Sequence, residues 1–274
     1  MKIFSTLVIG RGGARLNLYL GQEKLAIGRG GAQLNLYLDQ KLMRIIKMDQ
    51  AQFDKLFITR AACLLYDLCE TDNHCGLLGG NAPAYFDDKR DKVNDPDARY
   101  YFYLTVVSPV NGKMISIFLP SYVHYLKNNI YPNCAIKVFE HEVFPESQFC
   151  YYEMFEEEPA EKKTEYQKNF DYSKPTIKKT FLSEARLASR SKTESEPSPF
   201  LQVGGHPFLI QKESFYYENV TNNGYQFFFS VDEDGYLSDT IQGNFPFNYG
   251  AVYFYAKMND GDISDVIPGF WQFS

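Results

Sequence analysis

Most of the hydrophobic pattern of the chain is that of β-strands. Two runs rich in aromatic and β-branched residues, at 100–107 and 225–232, are each followed by a second apolar run, at 112–119 and 250–257. Such residues fit the pleated, half-buried surface of a sheet. The composition, with 23 Phe and 21 Tyr against a single Trp, favours strands as well. We therefore predict a β-rich α+β fold with mixed or antiparallel sheets.

A tandem repeat with a period of 18 residues lies near the N-terminus, and its copies, 9–22 and 27–40, differ at two of 14 positions. Each copy has a Gly-rich segment followed by Leu-Asn-Leu-Tyr-Leu, and this alternation predicts strands at 16–20 and 34–38. The two units are predicted to form a meander that adds strands to a sheet. Phosphate binding by the Gly-rich segments is the alternative, but the Lys-Ser/Thr of a P-loop is absent and a strand-like segment follows.

One segment has the periodicity of an amphipathic helix. It runs from Asp49 to about Glu70, and its apolar residues recur on one side: Phe53, Leu56, Phe57, Ala61, Leu64, Leu65 and Leu68. Asp49 is the predicted N-cap, Gln52 stands at the capping-box position, and Gly76 lies just past the predicted end. This segment is predicted to be the main helix of the fold.

Two glycine pairs predict structural turns at equivalent places in two halves of the chain. Gly79 and Gly80 are followed about twenty residues later by the strand at 100, and Gly204 and Gly205, with Pro207 close behind, precede the strand at 225 by the same distance. Glycine adopts positive φ readily and proline restricts the direction of the chain. A turn, a strand, a loop and a second strand thus occur twice, which predicts an internally duplicated, two-lobed fold.

These features divide the chain into four segments. We predict tandem-repeat strands at 1–48, a first lobe at 49–154, a charged connector at 155–199 and a second lobe at 200–274, with the two lobes forming one continuous structural unit. Charged residues and proline dominate the connector, in which 181–190 is predicted to be one short helix.

Composition excludes several classes of protein. A net charge of −6 disfavours nucleic-acid binding, and the chain has no apolar window long enough for a membrane span. Five thinly spread cysteines predict a reducing, cytoplasmic location. Cys63, Cys69, Cys75 and His74 suggest zinc, but no Cys-x-x-Cys pair exists and the first two cysteines would point apart on a helix. We predict no metal and no cofactor.

Few residues are candidates for chemistry. His206 stands beside the second glycine pair, where a turn could present it, while a hydrogen-bonded turn histidine is the alternative. Asp232 and Asp234 lie in an acidic turn that lacks the spacing of an EF-hand, and Tyr225 and Tyr253 are candidate aromatic contacts. No histidine has a Ser or Cys nucleophile elbow near it, so no catalytic residue is predicted.

Three motifs mark the second half of the chain: GGHPFLIQ at 204–211, FFFSVDEDG at 227–235, and the strand that begins GAVYFYAK at 250 and closes near Trp271. In these motifs the chain resembles YwqG-like proteins. The resemblance covers roughly 77–274, is clearest over 201–274, and has His206 where the family usually has an aromatic residue. It implies a bacterial, internally duplicated mixed α/β fold without an established activity, and some relatives lie beside toxin genes.

Two classes of function follow as expectations. The first is a non-catalytic intracellular protein-binding module, in particular an immunity protein that binds and masks a toxin. The second is a small-ligand binder or an enzyme, with an aromatic cleft between the lobes near His206.

Overall fold

A computed structural model describes residues 48–94, 100–120, 128–149, 175–189 and 198–274, together with two N-terminal strands. The chain forms two compact units, Met1–Arg44 and Ile45–Ser274. In the first unit, β1 (Leu16–Leu20) pairs antiparallel with β2 (Glu23–Ile27). The first predicted strand of the repeat is confirmed. Its partner β2 begins three residues after the end of β1, and the predicted strand at 34–38 lies outside the described residues.

Two six-stranded sheets make up the described part of the second unit. The first sheet has the order β4-β10-β5-β6-β7-β8. Its strands are β4 (Leu68–Cys69), β5 (Gly76–Leu78), β6 (Tyr100–Val107), β7 (Met114–Pro120), β8 (Lys137–His141) and β10 (Thr180–Leu182). All neighbouring pairs are antiparallel.

The second sheet has the order β11-β3-β12-β13-β15-β16 and is also antiparallel. Its strands are β3 (Cys63–Tyr66), β11 (Arg186–Ala188), β12 (Leu201–Val203), β13 (Gln226–Asp232), β15 (Ala251–Asn259) and β16 (Asp262–Gln272). A separate pair joins β9 (Thr176–Ile177) to β14 (Ile241–Gln242). The prediction of a β-rich fold with antiparallel sheets is confirmed.

The predicted main helix is correct at its start and wrong in its length. Asp49 Oδ1 accepts a hydrogen bond from Gln52 N at 2.8 Å, and Asp49 N donates to Gln52 Oε1 at 3.2 Å, so the capping box is present. Helix α1 (Gln50–Phe53) continues as a π-helical turn over Asp54–Ile58 and ends there. The residues that were predicted to complete the helix form β3 and β4 instead.

Long-range pairing explains that difference. The backbone of β3 pairs with β11 on one side and β12 on the other, and these partners lie more than 100 residues away along the chain. Local periodicity cannot reveal such partners, and tertiary pairing overrides helix propensity. The short helix predicted at 181–190 is wrong for the same reason, because β10 and β11 pair with β4 and β3.

These paired strands pass from one sheet to the other. Between β3 and β4, Asp67 N donates to Ser183 Oγ at 3.0 Å, and Ser183 N donates to Asp67 O at 2.9 Å. The described part of the predicted connector therefore contributes strands to both sheets.

Three hydrophobic clusters fix the packing of the sheets. The largest contains side chains of both sheets and of α1 with its π-helical turn, including Phe57, Tyr103, Ile117, Phe229, Phe254 and Trp271. A second cluster joins the other face of the first sheet to the segment 82–93, which contains helix α2 (Arg90–Val93), and a third joins the other face of the second sheet to 209–225. Each sheet therefore has one face in the shared core and one outer face under a covering segment.

A glycine pair leads into each covering segment. Gly79 and Gly204 have φ values of +63° and +69°, and each donates its N–H at 2.8 Å to a carbonyl of the next strand of the sheet, that of Tyr103 or Phe228. A Cβ at Gly204 would lie 2.9 Å from Leu56 O, so both the conformation and the close approach require glycine. The second of these turns places the backbone that borders the cleft described next.

Candidate ligand-binding cleft

A cavity of about 480 Å³ opens on the outer face of the second sheet. Its walls come from β13, β15, the segment after the second glycine pair, helix α3 (Glu218–Asn222) and the turn after α1. The lining is aromatic and aliphatic apart from a few polar groups: Arg60, Pro207, Leu209, Tyr217, Thr221, Gly224, Tyr225, Gln226, Phe227 and Tyr255. Cavities of this size with mostly apolar walls are typical of ligand sites.

Arg60 is the cationic group of this cavity. Its backbone has φ +53°, a left-handed conformation in the turn between α1 and β3. The guanidinium is partly buried and donates from Nη1 to Gly205 O at 2.6 Å and from Nη1 and Nη2 to Phe227 O at 3.3 Å. Burial lowers the pKa of Arg60, and the nearby Tyr255 opposes this effect.

No carboxylate forms an ion pair with Arg60 among the residues that the structure describes. A cation removed from water is costly unless an anion or several hydrogen bonds compensate it. The two carbonyls orient the guanidinium but carry no net charge, so the site is electrostatically suited to an anion.

Aromatic rings form much of the wall. Tyr225 donates from its hydroxyl to Asp265 Oδ2 at 2.6 Å, and this hydrogen bond is the main cause that raises its pKa to about 12. The ammonium of Lys257 lies 5.0 Å from the centroid of the same ring, within the range of a cation–π contact. Burial raises the pKa of Tyr255 well above its ordinary value. Both rings are therefore neutral at physiological pH.

The structure brings two of the residues singled out from the sequence to this cavity, Tyr225 and Pro207. His206 precedes Pro207 and is exposed, and its carbonyl accepts from Gln202 Nε2 at 2.8 Å. In the described part of the chain, no hydrogen bond or ring contact holds the imidazole of His206. The backbone of this residue is thus fixed next to the cavity while its side chain faces solvent.

The other candidates lie elsewhere. Tyr253 is fully buried, and its hydroxyl donates to Phe208 O at 2.7 Å, so it tethers the covering segment to β15. Asp232 accepts from Asp234 N at 3.0 Å through Oδ1, which caps the short 3₁₀ turn Glu233–Gly235. Asp234 is exposed.

Arg60 was not singled out from the sequence. It fell inside the predicted helix, where an arginine on the polar face has no special meaning. No local signal marks Arg60, because the apolar helical pattern continues past it to Leu68.

A separate polar cluster lies on the outer face of the first sheet. Ser116 Oγ is 2.8 Å from His141 Nε2 and 2.7 Å from Thr105 Oγ1. His141 Nδ1 lies 2.7 Å from the carbonyl of Glu142, which can only accept, so Nδ1 carries a proton and Nε2 of the neutral ring accepts from Ser116. Burial lowers the pKa of His141, which favours this neutral form.

A serine bonded to a histidine has the geometry of a nucleophile with its base. Here, however, Ser116 is fully buried and His141 is 5% exposed. The ring of Tyr85 stacks on the imidazole at 4.4 Å, and Phe144 packs beside it. The cluster therefore satisfies buried polar groups within the sheet.

Among the described residues, no group of three or more His, Cys, Asp or Glu side chains could hold a metal ion. No helix in the described ranges is long and apolar enough to cross a membrane. No protein-family model, curated protein or solved structure matches the chain.

Proposed function

We propose that the protein is a binding protein whose ligand site is the cavity around Arg60, called here the Arg60 cleft. The observation that carries the proposal is a partly buried guanidinium that has no carboxylate partner among the described residues, at a cavity with four aromatic rings. An anionic ligand with an apolar part would compensate the cation and cover the rings at the same time.

This proposal develops the expectation of an aromatic cleft near His206. Arg60 belongs to the segment 49–154 and the other lining residues belong to 200–274, so both predicted lobes contribute to the cleft. The rings of Tyr217, Tyr225 and Tyr255 offer flat apolar surface with polar edges.

Filling the cleft tests the proposal. A chemically mixed fragment library is screened by ligand-observed NMR against the wild-type protein and the Thr221→Trp variant. Thr221 lines the cleft from exposed helix α3, and its exposed neighbour Asn222 does not, so Asn222→Trp is the matched control. We expect hits that Thr221→Trp loses and Asn222→Trp keeps. An absence of hits, or hits that survive Thr221→Trp, would contradict the proposal.

A protein partner is the second candidate. Three phenylalanines of the second lobe are unusually exposed, with Phe208 at 37%, Phe215 at 56% and Phe273 at 45%. The side chain of Gln211 links the surroundings of two of these phenylalanines. Its Nε2 donates to Phe273 O, and its Oε1 accepts from the hydroxyl of Tyr216, the residue next to Phe215. Exposed aromatic residues are enriched in protein interfaces. This observation supports binding to a protein such as a toxin, and failure to co-purify with any product of the neighbouring genes would argue against it.

The internal duplication, and with it membership of the YwqG-like family, is also part of the proposal. Two features support it. Each half has a short strand, a glycine pair of positive φ, a covering segment and two long paired strands. In addition, the N–H groups of Gly79 and Gly204 make equivalent hydrogen bonds to the next strand of their sheets. An experimental structure in which 76–120 and 201–259 fail to superpose would refute the duplication.

A cytoplasmic location is proposed on the basis of the free cysteines among the described residues, Cys63, Cys69, Cys75 and Cys134. Recovery of the native protein in a non-cytoplasmic fraction would refute this location.

A further inference from the structure

We propose that the ligand of the Arg60 cleft is a monocarboxylate joined to an aromatic group, and that the Nε–Nη2 edge of Arg60 binds the carboxylate. This inference rests on the proposed function of the cleft and specifies its ligand. It follows from the guanidinium N–H groups of Arg60 that make no hydrogen bond to the described residues, from the charge of the residues that line the cleft, and from the chemistry of its walls.

The hydrogen bonds of Arg60 leave one edge of its guanidinium open. The group has five N–H donors. Nη1 donates to Gly205 O and Phe227 O, and Nη2 donates one hydrogen to Phe227 O. The N–H of Nε and the second N–H of Nη2 accordingly remain, and no acceptor among the described residues takes them. These two N–H groups point the same way along one edge of the planar group.

That edge is suited to a carboxylate. Two parallel N–H donors match the two oxygens of a carboxylate, and such bidentate charge-assisted pairs are among the stronger hydrogen-bonded contacts in proteins. The opposite side of the guanidinium is already held by two carbonyls from distant parts of the chain, Gly205 and Phe227. The donors are therefore oriented before a ligand arrives, which lowers the entropic cost of binding.

The charge of the lining favours a single negative charge. Among the described residues that line the cleft, Arg60 is the one with a charged side chain. At the rim, Lys257 contacts the ring of Tyr225 and Asp265 accepts from its hydroxyl, so these two opposite charges offset each other. One cation balances one carboxylate, whereas a phosphate dianion would keep an uncompensated charge in a partly buried site.

The remaining volume requires an apolar group. A carboxylate occupies a small part of a cavity of about 480 Å³, and the rest of the wall consists mainly of Leu209, Pro207 and four aromatic rings. Aromatic pairs contribute to binding beyond the area that they bury. An aryl group next to the carboxylate would therefore fill the cleft better than an aliphatic chain of the same size.

This chemistry has two sources, a free aryl carboxylate and the C-terminus of a peptide that ends in an aromatic residue. The first probe pair is 2-naphthylacetate and its neutral amide. The second is N-acetyl-Ala-Phe with a free C-terminus and the same dipeptide as its C-terminal amide. Each pair keeps its shape and replaces the carboxylate by a neutral amide, so the difference within a pair measures recognition of the carboxylate.

Binding of the four probes is measured by NMR titration with the wild-type protein, Arg60→Gln, Arg60→Lys and the matched control Arg186→Gln, an exposed arginine on β11. We expect at least one carboxylate to bind wild type about 10-fold to 100-fold more tightly than its amide, from the ~1.5–3 kcal/mol of a charge-assisted bond. Arg60→Gln should abolish this preference, Arg60→Lys should keep part of it, and Arg186→Gln should leave it unchanged. A preference for the acid over the amide in the naphthyl pair identifies the ligand as a free aryl carboxylate. The same preference in the peptide pair identifies it as the C-terminus of a peptide.

Equal binding of acid and amide to the wild-type protein would overturn the inference, and this comparison needs no variant that has to fold. If Thr221→Trp still abolishes that binding, the cleft remains a ligand site of different chemistry. If no fragment and no probe binds, the proposed function itself fails.

Discussion

Glu233 is the most deeply buried carboxyl group described in this chain, and its titration should govern how stability depends on pH. Its side chain is 2% exposed and accepts from Phe247 N at 2.8 Å through Oε1 and from Gly250 N at 3.1 Å through Oε2. These bonds hold the turn before β15, in which Asn248 and Tyr249 have positive φ. Burial nonetheless raises the pKa of Glu233 from 4.5 to about 8, because the backbone donors only partly offset it.

The sign of the effect follows from proton binding. Between pH 4.5 and 8 the folded protein keeps a proton on Glu233 that the unfolded chain releases, so the free energy of unfolding falls as pH rises. A shift of this size corresponds to roughly 5 kcal/mol across the whole window. The Glu233→Gln variant stays neutral and lacks this slope. Its amide nitrogen cannot accept from a backbone N–H, which costs about 1–3 kcal/mol for a buried unsatisfied donor.

The variant should therefore be less stable than wild type near pH 5 and should equal or exceed it near pH 8.5. Urea unfolding at several pH values measures both proteins, and fluorescence reports the transition because the single Trp271 is buried. Glu213→Gln, at an exposed glutamate, is the control and should follow wild type throughout. Parallel stability curves for wild type and Glu233→Gln across this range would refute the titration of Glu233.

Two further predictions concern the sheets. Ser116→Ala removes the donor to buried His141 Nε2, and we expect the free energy of unfolding in urea to fall by about 1–3 kcal/mol. Ligand binding at the Arg60 cleft should stay unchanged. A stability equal to wild type would contradict the hydrogen bond from Ser116 to His141. Gly204→Ala places a Cβ 2.9 Å from Leu56 O in a left-handed conformation, whereas Gly224→Ala has a similar φ and no atom within 4 Å. We expect about 1 kcal/mol for Gly224→Ala and clearly more for Gly204→Ala. Equal losses would show that the close approach is unimportant.

The strands that pair with their neighbours in sequence were predictable from the chain alone. The runs that became β6, β7, β13 and β15 carry enough aromatic and β-branched residues to identify them without tertiary information. The start of α1 was predictable as well, because a capping box depends on residues only three positions apart.

Elements that depend on distant partners were not predictable. The stretch that contains β3 and β4 fits a helical period and a strand period equally well, and only its pairing with β10, β11 and β12 selects the strand. The same holds for the polar cluster on the first sheet. Ser116 and His141 are 25 residues apart, and only the register of β7 with β8 brings them within 2.8 Å.

The candidate site shows why its aromatic part could be anticipated and its charged part could not. Tyr225 attracts notice because it follows Gly224 and opens the aromatic run at 225–232, which local sequence reveals. Arg60 acquires meaning only when Gly205 and Phe227 are folded against it. A single cation becomes a recognition group through the carbonyls that orient it, and carbonyls have no signature in the sequence.

The second glycine pair therefore serves the cleft as well as the fold. Gly205 donates its N–H to Leu56 O at 2.8 Å, which anchors the π-helical turn, and its carbonyl accepts from Arg60, two residues beyond that turn. A Cβ at Gly205 would lie 2.9 Å from Cys63 Cβ, so only glycine allows this approach. The close packing that this turn permits also sets the direction of the open guanidinium edge. The turn at Gly204 and Gly205, which the fold requires, in this way also orients Arg60 in the proposed binding site.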